Sequence, residues 1–261
     1  MITLTRFSTL CFILLASFST STLLSHNTTS GSYFLKYQHT DTVTIPAIPD
    51  TVLKRYLALG DSYTIGQSVK VNERYPVQAV EQLRSAGFNV AEAEIIATSG
   101  WTTGNLLEAV RAKAAAPDYD MVTLLIGVNN QYQRRSMEEY RIQFTSLLKK
   151  AIRFAGNRPG RVIVLSIPDY SVTPFAHNSD REKIAHEINS FNLINWQIAA
   201  ACHVNYLNIT NESRKAAKDH SLIAYDDLHF SGKEYSIWTS LLVPMISTAL
   251  KKNTESNTAK R

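Results

Sequence analysis

Along the chain, short apolar runs alternate with longer stretches in which apolar residues recur every three or four positions. Tyr56 to Gly60 is the first such run and reads as a buried strand ending at glycine. Tyr75 to Gly87 follows as a helix with Val77, Val80 and Leu83 on one face. Ala91 to Ala97 reads as a second strand, Asn105 to Ala115 as a helix, and Met121 to Gly127 as a third, almost wholly apolar strand. Ser136 and Glu139 form a capping box before a helix that aligns Met137, Tyr140, Phe144, Leu147, Leu148 and Ala151. Arg161 to Ile167 is a fourth strand, closed by Pro168. A second capping box, Ser179 and Glu182, opens a helix running to Ala201. Val204 to Ile209 is the fifth strand, with a short helix over Glu212 to Lys218 after it. Ser231 and Glu234 form a third capping box ahead of a last helix reaching Leu250.

Strands alternating with helices predict the α/β class: βαβ units around a parallel sheet, with helices on both faces. The crossovers are right-handed. In such sheets ligands bind outside the carboxyl ends of the strands, so residues just past each strand are the candidates for chemistry.

Residues 1–24 stand apart from this pattern. They carry one charge, Arg6, and then an apolar stretch from Phe7 to Phe18. This is the layout of a secretory signal. The stretch is short and interrupted by Ser and Thr, which disfavours a membrane span. The expectation is export, secreted or periplasmic, with cleavage between Ser19 and Ser25; tethering by an uncleaved segment is the alternative. Residues 25–50, polar and ending in Pro46 and Pro49, read as a linker. One domain is expected over 51–252 and a polar tail over 253–261.

With 44% hydrophobic and 19% charged residues among 261, the chain is excluded from the disordered class. Of its 2 cysteines, Cys11 lies in the signal stretch, so Cys202 has no partner for an intrachain disulfide and reads as a small buried side chain. The net charge of +5 is spread thinly, and the only cluster of note is Lys251, Lys252, Lys260 and Arg261 at the end. No nucleic-acid partner is expected from that distribution.

Three strand ends carry polar residues. Gly60-Asp61-Ser62 places a hydroxyl at the sheet's carboxyl edge. Taken alone, Ser62 reads first as the cap of the next turn. Beyond the second strand, Gly100 is by default a turn glycine, but glycine also lets a backbone N–H approach a substrate oxygen. Past the third, Asn129 and Asn130 either satisfy loose backbone groups or aim an amide donor at a pocket. Near the end, Asp226 precedes His229 by three, a spacing that lets the carboxylate meet Nδ1 of the imidazole. Together these supply a nucleophile, oxyanion donors, a base and its orienter along one sheet edge.

In these residues the sequence resembles the SGNH, or GDSL-type, hydrolase family of esterases and lipases, over about residues 54–250. Its four blocks appear as Gly60-Asp61-Ser62-Tyr63, Gly100, Gly127-Val128-Asn129-Asn130 and Asp226-Asp227-Leu228-His229. Asn130 stands where the family has Asp. The resemblance implies a three-layer flavodoxin-like fold with five parallel strands in the order 2-1-3-4-5. It also implies Ser62 as nucleophile, His229 as base and Asp226 as its partner. The oxyanion hole would be the N–H groups of Ser62 and Gly100 with the Asn129 side chain. No cofactor and no metal are implied, and the expected partner is a small ester: an acylated glycan, a lysophospholipid or another short ester. Ile65, Trp101, Gln131, Tyr132 and Phe230 are the candidates for setting specificity. Two other classes stay open at this point: a non-catalytic binding module for acylated glycans or lipids, and a metal-dependent hydrolase using Asp226, Asp227 and His229.

Overall fold

The structure, a computed structural model, describes residues 52–112 and 118–258, with side chains described as far as Leu250 and Lys251. The expected signal and linker, and the end of the polar tail, lie outside the described residues. In chain order the elements are β1 (Tyr56–Gly60), α1 (Ser62–Ile65), α2 (Tyr75–Ser85), β2 (Glu94–Ala97), α3 (Thr103–Ala112), β3 (Met121–Leu125), α4 (Val128–Tyr132) and α5 (Met137–Phe154). There follow β4 (Val162–Leu165), α6 (Arg181–Ala201), β5 (Asn205–Leu207), α7 (Thr210–Ser213) and α8 (Gly232–Thr258).

All five strands pair in parallel, in the order β2-β1-β3-β4-β5, the expected flavodoxin-like order. Every residue of β1, β3 and β4 is buried, as unbroken apolar runs covered on both faces must be. Helices α2 and α8 pack on each other, and α5 packs against both α3 and α6. The register matters for function. Gly60 pairs with Ala97 on one side and Leu125 on the other, so the chain leaves β1, β2 and β3 at one level. A Cβ at Gly60 would lie 2.0 Å from Thr64 Oγ1 and 2.5 Å from the Leu125 carbonyl oxygen, so only glycine admits the sharp turn into α1.

Local differences from the sequence reading have identifiable causes. The second strand shrinks to Glu94–Ala97 because Val90 makes a separate bridge with Lys54 before pairing resumes. Helix α3 begins two residues early, at Thr103, where the Asn130 side chain accepts its first N–H. Helix α6 is capped by Asp180, not Ser179: its carboxylate accepts the Lys183 N–H at 3.0 Å. A carboxylate at a helix start gains from the helix dipole as well as from the bond. Glu234 turns away from the expected box and accepts the Trp238 indole N–H at 2.6 Å. The last helix continues past Leu250 to Thr258. Cys202 caps α6 and is half-buried with a free thiol. Among the described residues no helix is long and apolar enough to cross a membrane.

Candidate active site

Ser62 opens α1 directly beyond β1, and the turn that presents it is braced from several sides. Asp61 caps the helix, its Oδ1 accepting the Tyr63 N–H at 3.1 Å. Its other oxygen is buried without a hydrogen-bond partner. Burial pushes this carboxyl up to about 7, only partly offset by the N–H dipoles of Tyr63, Gly127 and Asp61 itself. Tyr63 is fully buried, its ring 5.8 Å from Phe230 and 6.4 Å from Trp238 of α8. Its ring also meets the His229 imidazole edge-on at 5.6 Å. The hydroxyls of Thr64, Tyr75, Thr123 and Tyr56 form a chain beneath the turn.

The segment before α8 folds into a tight loop, with the Ala224 N–H donating to the His229 carbonyl at 2.8 Å. Within it Asp226 Oδ1 accepts the N–H groups of Leu228 and His229, at 3.1 and 2.9 Å. Asp226 Oδ2 lies 2.6 Å from His229 Nδ1 and accepts the Ser68 hydroxyl at 2.5 Å. Burial pushes the Asp226 carboxyl up, but Ser68, His229 and the two N–H groups outweigh it and hold it at about 2. An ionised Asp226 draws the imidazole proton to Nδ1 and leaves Nε2 as the free base.

The two remaining loops are tied together by the paired amides. Asn130 is fully buried; its Oδ1 accepts the Thr103 N–H at 2.9 Å and its Nδ2 donates to the Thr103 hydroxyl at 2.8 Å. Asn129 is half-buried and donates from Nδ2 to the Trp101 carbonyl at 3.0 Å, which turns its amide toward the Gly100 loop. Gly100 adopts a left-handed φ of 83°, with nothing within 4 Å of where a side chain would begin. Open space in front of this backbone leaves room for an approaching substrate.

Ser62, Asn129 and His229 line one cavity of about 150 Å³, together with Tyr132, Tyr170 and Phe175. These three rings stand 6.2 to 6.4 Å apart and give the cavity an aromatic wall. A serine hydroxyl, an imidazole in contact with a carboxylate, and a side-chain amide thus line one cavity beside an apolar surface. That set of groups suits acyl transfer.

Of the five specificity candidates, Tyr132 lines this cavity and the other four do not. Phe230 is fully buried, sandwiched between Tyr63 and Trp238, because the core needs it as a brace. Gln131 is buried and joins Tyr170 to Glu187, accepting at Oε1 and donating at Nε2. Trp101 packs on the core edge and offers only its carbonyl. Ile65 sits at the end of α1, outside the lining. Sequence reasoning missed Tyr170, Phe175 and Ser68. The first two follow β4, and the strand-end rule applied to that strand would have drawn attention to them. Ser68 carries no signal in the sequence. Among the described residues no group of three His, Cys, Asp or Glu is placed to hold a metal ion.

Comparison with known proteins places this geometry in context. The model of the GDSL-like lipase/acylhydrolase family matches residues 58–237. No curated protein sequence matches the chain. Among solved structures, TesA is 15% identical, with a TM-score of 0.60 over 76% of this chain and 100% of that one. The acetylxylan esterase Axe2 of Geobacillus stearothermophilus is 18% identical, with a TM-score of 0.57 over 76% and 95%. The psychrotrophic esterase EstA from Pseudoalteromonas sp., solved with monoethylphosphonate as inhibitor, is 16% identical, with a TM-score of 0.56 over 77% and 99%. At these identities the structural likeness speaks for the shared fold, and the family match over most of the chain speaks for the rest: the chain belongs to the GDSL-like lipase/acylhydrolase family of carboxylic ester hydrolases.

Proposed function

We propose that this protein is a serine esterase that cleaves small carboxylic esters through an acyl-enzyme. The observation that carries the reading is the 2.6 Å contact of His229 Nδ1 with Asp226 Oδ2 in a cavity that Ser62 and Asn129 also line. In the first step Ser62 Oγ adds to the ester carbonyl carbon while its proton passes to His229 Nε2. Asp226 stabilises the imidazolium. The carbonyl oxygen becomes an oxyanion, held by the N–H groups of Ser62 and Gly100 and the Asn129 amide. His229 returns its proton to the departing alcohol, leaving an acyl group on Ser62. Water then repeats the sequence and frees the acid.

The aromatic wall of Tyr132, Tyr170 and Phe175 supports an apolar acyl or aryl group beside the scissile bond, and the small cavity favours a short one. Ser62→Ala tests the reading. The variant should fold like the parent, lose on the order of 10³-fold or more in kcat, and no longer be labelled by a phosphonate ester. Parental hydrolysis by the folded variant would remove Ser62 from the chemistry; binding of an acylated glycan or lipid without turnover by the parent would point to a binding module instead. Residues 1–24 support placing the activity outside the cytoplasm, secreted or periplasmic. The intact mass of the exported protein should then begin beyond Ser19, and full-length protein in the cytosol would refute it.

A further inference from the structure

The loop that leaves α1 contacts both neighbouring loops of the site. Gln67 Oε1 accepts the Ser99 hydroxyl at 2.8 Å, next to Gly100. Ser68 Oγ donates to Asp226 Oδ2 at 2.5 Å, across 158 positions of sequence. Ser68 holds a left-handed φ of 67° to do so. Asp227, adjacent to the accepting carboxylate, holds φ 61°. Residues other than glycine keep such conformations only where the surroundings impose them, and such positions cluster at functional sites. Here two segments from opposite ends of the domain each adopt one where hydroxyl meets carboxylate.

Four donors surround the Asp226 carboxylate. The Leu228 and His229 N–H groups belong to the acid's own loop and move with it. The His229 ring is what the carboxylate has to orient. Ser68 is the donor from elsewhere, and it comes from the loop that directly follows the helix presenting Ser62. It accordingly shares Oδ2 with the imidazole and fixes where that oxygen stands. We propose that Ser68 is a positioning residue for the Asp226–His229 pair, locking the carboxylate that orients the base to the helix that carries the nucleophile. Its meaning for turnover rests on the esterase reading above; the contact itself does not. Ser68 is not among the residues lining the cavity, so it acts through Asp226 and not on the substrate. The other titratable groups facing the pair are the Tyr235 phenol, close enough to feel the Asp226 charge, and the Tyr63 ring against the imidazole.

Two variants separate the hydroxyl from the backbone. Ser68→Ala removes the hydroxyl and keeps the disfavoured φ; Ser68→Gly removes the hydroxyl and relieves it. Three quantities are measured for each beside the parent: kcat and KM on a p-nitrophenyl ester, the NMR titration of the His229 ring, and the melting temperature. Both variants should lose roughly 10- to 150-fold in kcat with KM nearly unchanged, the effect of losing one hydrogen bond to a charged group. The His229 titration midpoint should move upward in both, because the carboxylate no longer shares its charge with a hydroxyl. Ser68→Gly should melt no lower than Ser68→Ala. Parental kcat in both variants would overturn the proposal. So would a rate loss confined to Ser68→Ala and tracking its melting temperature, or an unmoved midpoint. If the parent neither cleaves esters nor takes the phosphonate label, the esterase reading fails, and the His229 midpoint still decides on Ser68.

Discussion

Replacing Asn130 by alanine separates the two consecutive amides by what each supports. Asn130 is fully buried, and both ends of its amide bind Thr103. Thr103 is the first residue of α3, so its N–H has no partner within the helix. In Asn130→Ala that buried donor is left empty, at about 1–3 kcal/mol. The vacated space adds about 1 kcal/mol. The Thr103 hydroxyl keeps its bond to Gln143, so no further group is orphaned there. The total is about 2–4 kcal/mol, or roughly 5–15 °C of melting temperature for a domain of this size. Urea titration at an unchanged m-value is the direct assay. Asn129→Ala should behave in the opposite way. Asn129 is half-buried and its visible bond is one contact to the Trp101 carbonyl, so little stability goes with it. As an oxyanion donor its loss should cost ~10²–10³ in kcat with KM spared. Asn130→Asp, which restores the family's usual residue and an acceptor for the Thr103 N–H, should regain most of the lost stability. The reasoning fails if Asn130→Ala melts with the parent and shows the clean kcat loss, while Asn129→Ala melts early at parental kcat.

Other outcomes follow from buried carboxyls and from the aromatic wall. Burial raises both Asp61 and Glu234 to about 7, above their unfolded values of 3.8 and 4.5, so the folded state keeps protons that the unfolded state releases. Stability from these two groups is therefore full below about pH 4 and is lost as pH rises toward 7. Asp226, held at about 2, works in the other direction and withdraws its contribution only as pH falls below about 4. Melting curves from pH 4 to 8 should show the decline, flattened in Glu234→Gln; an equally steep decline in that variant would contradict it. Phe175→Ala should shift preference toward longer acyl or bulkier aryl esters in a panel from acetyl to lauroyl, and an unchanged profile would remove Phe175 from the substrate's path.

The strands were legible because β1, β3 and β4 are buried on both faces and so appear as continuous apolar runs, whereas their order came from the family resemblance. The candidate site was legible because Ser62, Gly100 and Asn129 lie just past strands, where a parallel sheet gathers its loops, and because Asp226 and His229 stand three apart before the last helix. What escaped reading depended on side-chain direction. Phe230 looked like a pocket residue beside His229, yet the core between Tyr63 and Trp238 claims it. Gln131 was a candidate for setting specificity, but two residues along from Asn129 its side chain bonds Tyr170 and Glu187. Ser68 was invisible because its partner lies 158 positions away and its conformation follows no sequence rule. At Ser179 and Asp180 two capping side chains competed, and the charged one prevailed.

The loop of Asp226 and His229 supplies most of its own hydrogen bonds, whereas Ser62, Gly100 and Asn129 hang from three adjacent strands in register. The candidate site is therefore built from two halves that face each other across a seam, and the packing of the fold sets the seam's width. The contacts that span it include the Ser68 hydroxyl on Asp226 and the Tyr63 ring, which meets both His229 and Phe230. A disturbance far too small to melt either half is enough to widen such a seam. On the esterase reading, turnover should therefore fail on warming before the helices and sheet melt.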